Sequence, residues 1–237
     1  MKVKFKEILA AENFNLTEDQ LDKFVIYSNL LKEWNKKMNL TALETDEEII
    51  YKHFLDSLFC LKLDLNWQEK KILDVGTGAG FPGLPLKIYL DSVEVHLLDS
   101  LKKRVLFLEE VIKNLNLKNV FCFHGRAEDF GKNDAFREQY DLVTARAVAR
   151  LPVLLELCLP FVKKDGFFIA LKGPEGINEL EESKEALSLL GGKVHTLKHF
   201  IIQGIRQERV LIAFQKTSPT PSKYPRKAGI PQKRPLT

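Results

Sequence analysis

The hydrophobic pattern changes character near residue 65. Before that point apolar side chains recur at helical spacing: Leu21, Phe24, Val25, Leu31 and Trp34 fall on one face, interrupted by Ser28. Thr17-Glu18-Asp19-Gln20 precedes that run as a capping box, and residues 35–39 close it. A second box, Thr45-Asp46-Glu47-Glu48, opens a segment carrying Ile49, Ile50, His53, Phe54, Leu58 and Leu61. Residues 1–65 are therefore predicted to be mainly helical. From residue 70 short apolar runs alternate with amphipathic segments, predicting strands at 71–75, 93–98, 120–123, 141–144 and 166–171 and helices at 84–90, 101–115 and 152–162. That β-α-β-α rhythm predicts a mostly parallel sheet with helices on both faces. After a helix at about 177–190, two strand-like runs, 193–201 and 209–214, lie close enough to form a hairpin at a sheet edge.

Three regions follow: a helical extension (1–65), an α/β domain (66–216) and a basic, proline-rich tail (217–237). The tail carries Lys223, Arg226, Lys227, Lys233 and Arg234 and no acid, so the whole net charge of +4 resides there. Composition allows two readings of it, a solvated disordered end or an arm whose Lys and Arg displace counterions from phosphates. No apolar run approaches the ~20 residues of a membrane span, and the charged N-terminus has no signal-peptide pattern. Cys60, Cys122 and Cys158 stand singly in apolar surroundings. Without paired Cys/His spacing no metal is expected, and the chain reads as reduced and cytoplasmic.

The chemistry concentrates in DVGTGAGFPG, residues 74–83, which leaves the first strand of the α/β region. In an open α/β sheet the ligand sits beyond the carboxyl ends of the strands. Glycines there remove Cβ atoms from its path, and the next helix offers free N–H groups. Read from Gly78 the loop is also G-x-G-x-x-G, the dinucleotide fingerprint. Asp74 favours the other cofactor class, because an acid beside a pyrophosphate is repelled whereas the ammonium of an aminoacyl ligand attracts it. This points to S-adenosylmethionine rather than NAD. Asp99, at the end of the second strand in HLLDS, is placed to accept ribose hydroxyls in either case. The fourth strand ends in Thr144-Ala145-Arg146, a polar cluster where substrate would meet cofactor. His53, Asp56 and Ser57 suggest a triad, but Ser57 points away from the face shared by the other two, so structural hydrogen bonding is expected.

Seven stretches add a resemblance: NKKMNLTAL (35–43), HFLDSL (53–58), ILDVGTGAGFPGLPLKI (72–88), LLDSLKKRVLFL (97–108), GRAED (125–129), YDLVTARAVA (140–149) and KYPRKAGIPQKRPL (223–236). Together they resemble the RsmG (GidB) family of bacterial methyltransferases acting on 16S ribosomal RNA. The resemblance implies a class I, Rossmann-like methyltransferase fold, S-adenosylmethionine as donor and N7 of one guanine in 16S rRNA as acceptor, on the RNA or a small-subunit particle. Carried over by motif, Gly76, Gly78 and Phe81 would contact the cofactor, Asp99 its ribose, Ala127 and Glu128 its adenine, and Arg146 its reactive end; Asp74 joins them on charge. Guanine N7 has a lone pair and no proton, so no catalytic base is assigned and Arg146 is the candidate at the chemistry. Lys36, Lys37, Lys102, Lys103, Arg104 and Arg150, near helix ends or the sheet rim, would follow the RNA with the five tail cations. No obligatory protein partner is indicated, and a monomer is expected. The rival readings are a non-catalytic ribosome-assembly or RNA-binding factor and an NAD-dependent oxidoreductase.

Overall fold

Thr17 and Gln20 start the long N-terminal helix by satisfying each other's backbone. In the computed structural model, which describes residues 2–38, 40 and 45–236, the Gln20 amide donates to Thr17 Oγ1 at 3.2 Å and the Thr17 amide donates to Gln20 Oε1 at 2.9 Å. The helix so capped, α2 (Glu18–Met38), packs on α1 (Lys2–Ala11). The second box starts α3 (Asp46–Ile49), with Thr45 Oγ1 accepting from the Glu48 amide. The segment then departs from a plain α-helix, because Ile50–Leu55 form a π-turn before α4 (Asp56–Leu58). A π-turn takes backbone groups out of the i→i−4 ladder, and its use becomes clear at the site. Asn39 and residues 41–43 of the NKKMNLTAL motif lie outside the described residues.

The sheet has seven strands: β1 (Lys71–Val75), β2 (Glu94–Asp99), β3 (Val120–His124), β4 (Tyr140–Arg146), β5 (Val162–Lys172), β6 (Gly192–Ile202) and β7 (Gln207–Lys216). Their spatial order is β3-β2-β1-β4-β5-β7-β6, the first five parallel and β7 antiparallel to both neighbours. The expected edge hairpin is β6–β7, with β7 inserted beside β5. Helices α5 (Gly83–Tyr89), α6 (Lys102–Asn114), α7 (Ala127–Phe130) and α8 (Leu151–Cys158) lie between the strands. The helix expected at 177–190 is two, α9 (Gly176–Glu182) and α10 (Lys184–Leu189), joined at Ser183, whose Oγ donates back to the Glu179 carbonyl at 2.6 Å. Strand order reverses between β1 and β4, so the ligand crevice of such a sheet falls at their carboxyl ends. Among the described residues no helix is long and apolar enough to cross a membrane.

Apolar cores cover both faces. On one, Phe5, Phe24, Tyr27 and Phe54 from residues 1–65 pack with Leu84, Leu97 and Phe107, so the extension and the sheet share one core. Tight ring pairs, Phe24–Phe54 at 4.9 Å and Phe5–Phe24 at 5.0 Å, each add about 1 kcal/mol beyond their burial. On the other face Leu73, Val143, Leu154, Phe168 and Phe214 form the second core, which Tyr224 of the tail joins. Residues 217–236 are therefore not a free arm. They run over α8 and end in a short helix, α11 (Ile230–Lys233).

Candidate cofactor and RNA site

Asp74 does not sit where the charge argument put it. Its side chain is fully buried, and its oxygens accept from Thr77 Oγ1 (2.6 Å), the Gly83 amide (2.9 Å) and Thr144 Oγ1 (3.1 Å). Burial pushes its carboxyl up to about 6, against those three bonds. The residue lies next to the end of a strand covered on both faces, so its carboxylate braces the loop from beneath and lines neither cavity at the sheet end. Selection of a sulfonium ligand over a pyrophosphate cannot rest on Asp74.

The glycines do lie at the crevice. Gly76 and Gly78 hold φ of +66° and +63°, a region costly for residues with a Cβ. A Cβ on Gly76 would come within 2.7 Å of Val148 Cγ2, whereas beside Gly78 the space is open. Gly76 separates two hollows. One, of about 260 Å³, is lined by Gly76, Asp99, Ala127 and Glu128 against Val75, Leu98 and Leu157. The other, of about 180 Å³, is lined by Gly76, Gly78, Phe81, Arg104 and Arg146. A roomier cavity of about 710 Å³ opens among Phe14, Lys62, Trp67 and Tyr89, at the other end of β1, and holds none of these residues.

Asp99 is 2% exposed at the mouth of the first hollow. Its Oδ2 accepts from the Gly78 amide at 2.9 Å and from Arg104 at 3.3 Å, and its Oδ1 from the Leu101 amide at 2.9 Å. An ionised carboxylate has about four acceptor sites, so Oδ1 keeps one for a ligand hydroxyl. Two acids and three aliphatic walls fit an adenosine-like group, whose donors meet carboxylates while its ring lies on apolar carbon.

The π-turn reaches the second hollow through His53 and anchors Arg146 beside it. Arg146, ending β4, donates through one terminal nitrogen to the Lys52 carbonyl and to Asp56 Oδ2, both at 2.9 Å, and through the other contacts His53 Nδ1 at 3.0 Å. Asp56, 4% exposed, also accepts from Arg209 of β7 at 2.8 Å. The Arg146 guanidinium lies 4.9 Å from the Phe81 ring centre, the His53 ring stacks on Phe81 at 4.3 Å, and Tyr27 stacks on it at 5.4 Å. Tyr27 Oη also donates to the Ala79 carbonyl, bolting α2 to the loop. Ser57 Oγ donates to the His53 carbonyl, so no nucleophilic triad forms. Tyr27 and Arg209 were not placed at the site by sequence, since their partners are distant in the chain and no local motif marks them; Asp56 was paired with His53 on one helix face, and its ion pairs with Arg146 and Arg209 come from distant strands.

His53 is held neutral. Burial, and then the adjacent Arg146 charge, lower its pKa from 6.5 to about 3. The folded state therefore binds fewer protons than the unfolded one below pH 6.5, and the associated stability is lost as the pH falls. Asp74 acts oppositely between about 4 and 6, where the fold binds the extra proton. On going from pH 7.5 to 5 the wild type should lose about 2 kcal/mol more than a His53→Gln variant. Urea melts at the two pH values measure this, and equal losses would remove His53 from the balance.

The basic residues fare unequally. Lys36, Lys37, Lys102 and Lys103 are exposed, Lys37 lying 3.4 Å from Glu33 and Lys103 Nζ 3.4 Å from the Met38 carbonyl. Arg104 lines the second hollow and pairs with Asp99 of the first, and Arg150 pairs with Glu182. In the tail Lys223, Lys227, Lys233 and Arg234 are exposed. Arg226 differs: its backbone amide, Nε and a terminal nitrogen all donate to the fully buried Glu156, at 2.6–3.1 Å. Its charge is neutralised inside the fold. Arg126, exposed at the rim of the first hollow, was not singled out by sequence.

Parallel strands β1 to β5, an antiparallel seventh strand and a glycine loop at the switch point define a class I methyltransferase. Solved structures agree in fold: YcgJ from Bacillus subtilis (TM-score 0.53, 16% identical, 70% of this chain and 100% of that one) and M. jannaschii TYW2 in complex with AdoMet (TM-score 0.53, 16% identical, 74% and 79%). The chain belongs to the GidB family, rRNA small subunit methyltransferase G, whose model matches residues 20–210. Relatives named ribosomal RNA small subunit methyltransferase G are 53% identical in Desulfitobacterium hafniense, over 94% of this chain and 92% of the relative, and 48% identical in Desulforamulus reducens, over 100% and 98%.

Proposed function

We propose that this protein methylates N7 of one guanine in 16S ribosomal RNA with S-adenosylmethionine as donor. The observation that carries the reading is the pair of hollows meeting at Gly76, one acid-lined and one under Arg146, in a chain of this family. When bound, S-adenosylmethionine supplies an electrophilic methyl group on a sulfonium. Asp99 and Glu128 would hold the ribose and adenine, Gly76 and Gly78 give its backbone close approach, and Phe81 and Arg146 border the hollow for the reactive end. Arg146 is oriented by a carbonyl and an imidazole of the π-turn and by the Asp56 carboxylate that starts α4, which fixes the plane of its donor fork. Fixing an acceptor against a donor in this way can contribute several kcal/mol, on the order of 7 at the lower end of measured effective molarities. N7 attacks through its lone pair, so the demand on these residues is orientation. RNA reaches this end of the sheet from the cytoplasm, in reach of the exposed Lys36, Lys37, Lys102 and Lys103.

Calorimetry tests the cofactor: S-adenosylmethionine should bind, NAD should not, and the reverse would restore the oxidoreductase reading. Asp99→Ala should weaken S-adenosylmethionine binding about tenfold or more, since an acceptor is lost and the Gly78 amide released; unchanged affinity would take Asp99 out of the site. For RNA, four tail cations count rather than five, because Arg226 is internally paired. Replacing Lys223, Lys227, Lys233 and Arg234 by Ala should flatten the slope of log Kobs against log salt by about 3. An unchanged slope would show that the tail does not meet phosphate.

A further inference from the structure

The tail reaches the wall of the acid-lined hollow. The Gly229 amide donates to Glu128 Oε1 at 3.1 Å, and among the described residues no partner takes Oε2 of that side chain. Glu128 lines the hollow, and so does Leu157, the residue after the buried Glu156 that Arg226 grips. Pro225 packs against Gly131 at the end of α7, where a Cβ would meet its ring carbon at 2.9 Å. Arg226 ties the last turn down as well, donating to the Arg234 carbonyl at 2.7 Å, and Pro231 is buried. One side of the segment thus fixes an acid of the hollow, while Lys227, Lys233 and Arg234 on the same few residues face solvent.

We propose that residues 226–236 couple RNA binding to cofactor binding, with Gly229 a positioning residue for Glu128. The inference rests on the proposed reading of the hollow as the adenosine site and of the tail cations as phosphate contacts. The Gly229 amide holds one oxygen of Glu128 and leaves the other to accept from the ligand. Phosphate on Lys227, Lys233 and Arg234 favours the docked tail, and the docked tail favours the ligand-binding orientation of Glu128. A ligand shifts such an equilibrium only through its differential affinity for the two states, and the effect is reciprocal: RNA must tighten cofactor binding by the factor by which cofactor tightens RNA binding.

The test uses S-adenosylhomocysteine, which binds without methyl transfer, and small ribosomal subunits from cells lacking the enzyme. The affinity for S-adenosylhomocysteine is measured by titration with and without subunits, and the ratio is the coupling factor. The wild type should give a factor of about 5 or more. A chain ending at Ala228 should bind S-adenosylhomocysteine more weakly and give a factor near 1. A full-length Lys227→Glu, Lys233→Glu, Arg234→Glu variant, altered only at exposed positions, should also give a factor near 1. A wild-type factor within twofold of 1, or the same factor in wild type and variants, overturns the coupling. A Glu128→Ala variant keeps the two failures apart. If it binds S-adenosylhomocysteine like wild type, the adenosine-site reading fails; if it binds weakly while the chain ending at Ala228 binds normally, the coupling alone fails.

Discussion

An Arg146→Ala protein should lose methyl transfer by more than about a hundredfold and unfold about 3 kcal/mol more easily. Arg146 serves three acceptors at once: the Lys52 carbonyl, the Asp56 carboxylate and His53 Nδ1. Truncation removes a donor from the Lys52 carbonyl and from His53 Nδ1 and leaves Arg209 to balance the Asp56 carboxylate. The π-turn loses the side chain that explains its geometry, so the Phe81 stack and the second hollow should lose definition together. Arg146→Lys should not restore activity, because an ammonium cannot present the planar fork that meets acceptors in three directions. Single-turnover assays and urea melts on both variants read the two effects. Near-normal activity in Arg146→Lys would mean that only the charge matters.

Arg226→Ala should destabilise the protein by about 3 kcal/mol, since it leaves the fully buried Glu156 carboxylate with a single backbone donor. For a chain of this size that is roughly a 10 °C fall in the melting temperature. Replacing both partners, Arg226→Met with Glu156→Leu, should recover most of the loss, because a well-packed apolar pair avoids the desolvation of two charges. Thermal melts of the single and double variants decide it. A single variant as stable as wild type would mean that the tail does not brace α8.

Much of the fold is written locally. The capping boxes place both helix starts, and the β1 span 71–75 coincides with its apolar run, because neither depends on distant residues. What local pattern cannot carry is the partner of a buried polar group. Asp74 is the instructive case: electrostatics between two isolated charges aimed it at a ligand, but three donors inside the fold take its oxygens. Arg226 is another, counted as a phosphate contact until Glu156, seventy residues away in sequence, is seen beneath it. The π-turn is likewise invisible in a capping box followed by a helical pattern; Arg146, from another strand, supplies its reason. Gly76, Phe81, Asp99, Glu128 and Arg146 converge on one end of the sheet because each follows or ends a parallel strand or starts the helix behind it, and that much the β-α rhythm does predict.

If this chain places a methyl group on N7 of a 16S rRNA guanine, the modification depends on the gene. Nucleoside mass analysis of 16S rRNA from cells with and without the gene tests it most directly. N7-methylguanosine should be diminished without the protein, and purified protein with S-adenosylmethionine should restore it, whereas the Arg146→Ala variant should not. An unchanged N7-methylguanosine content in the cells lacking the protein would contradict it.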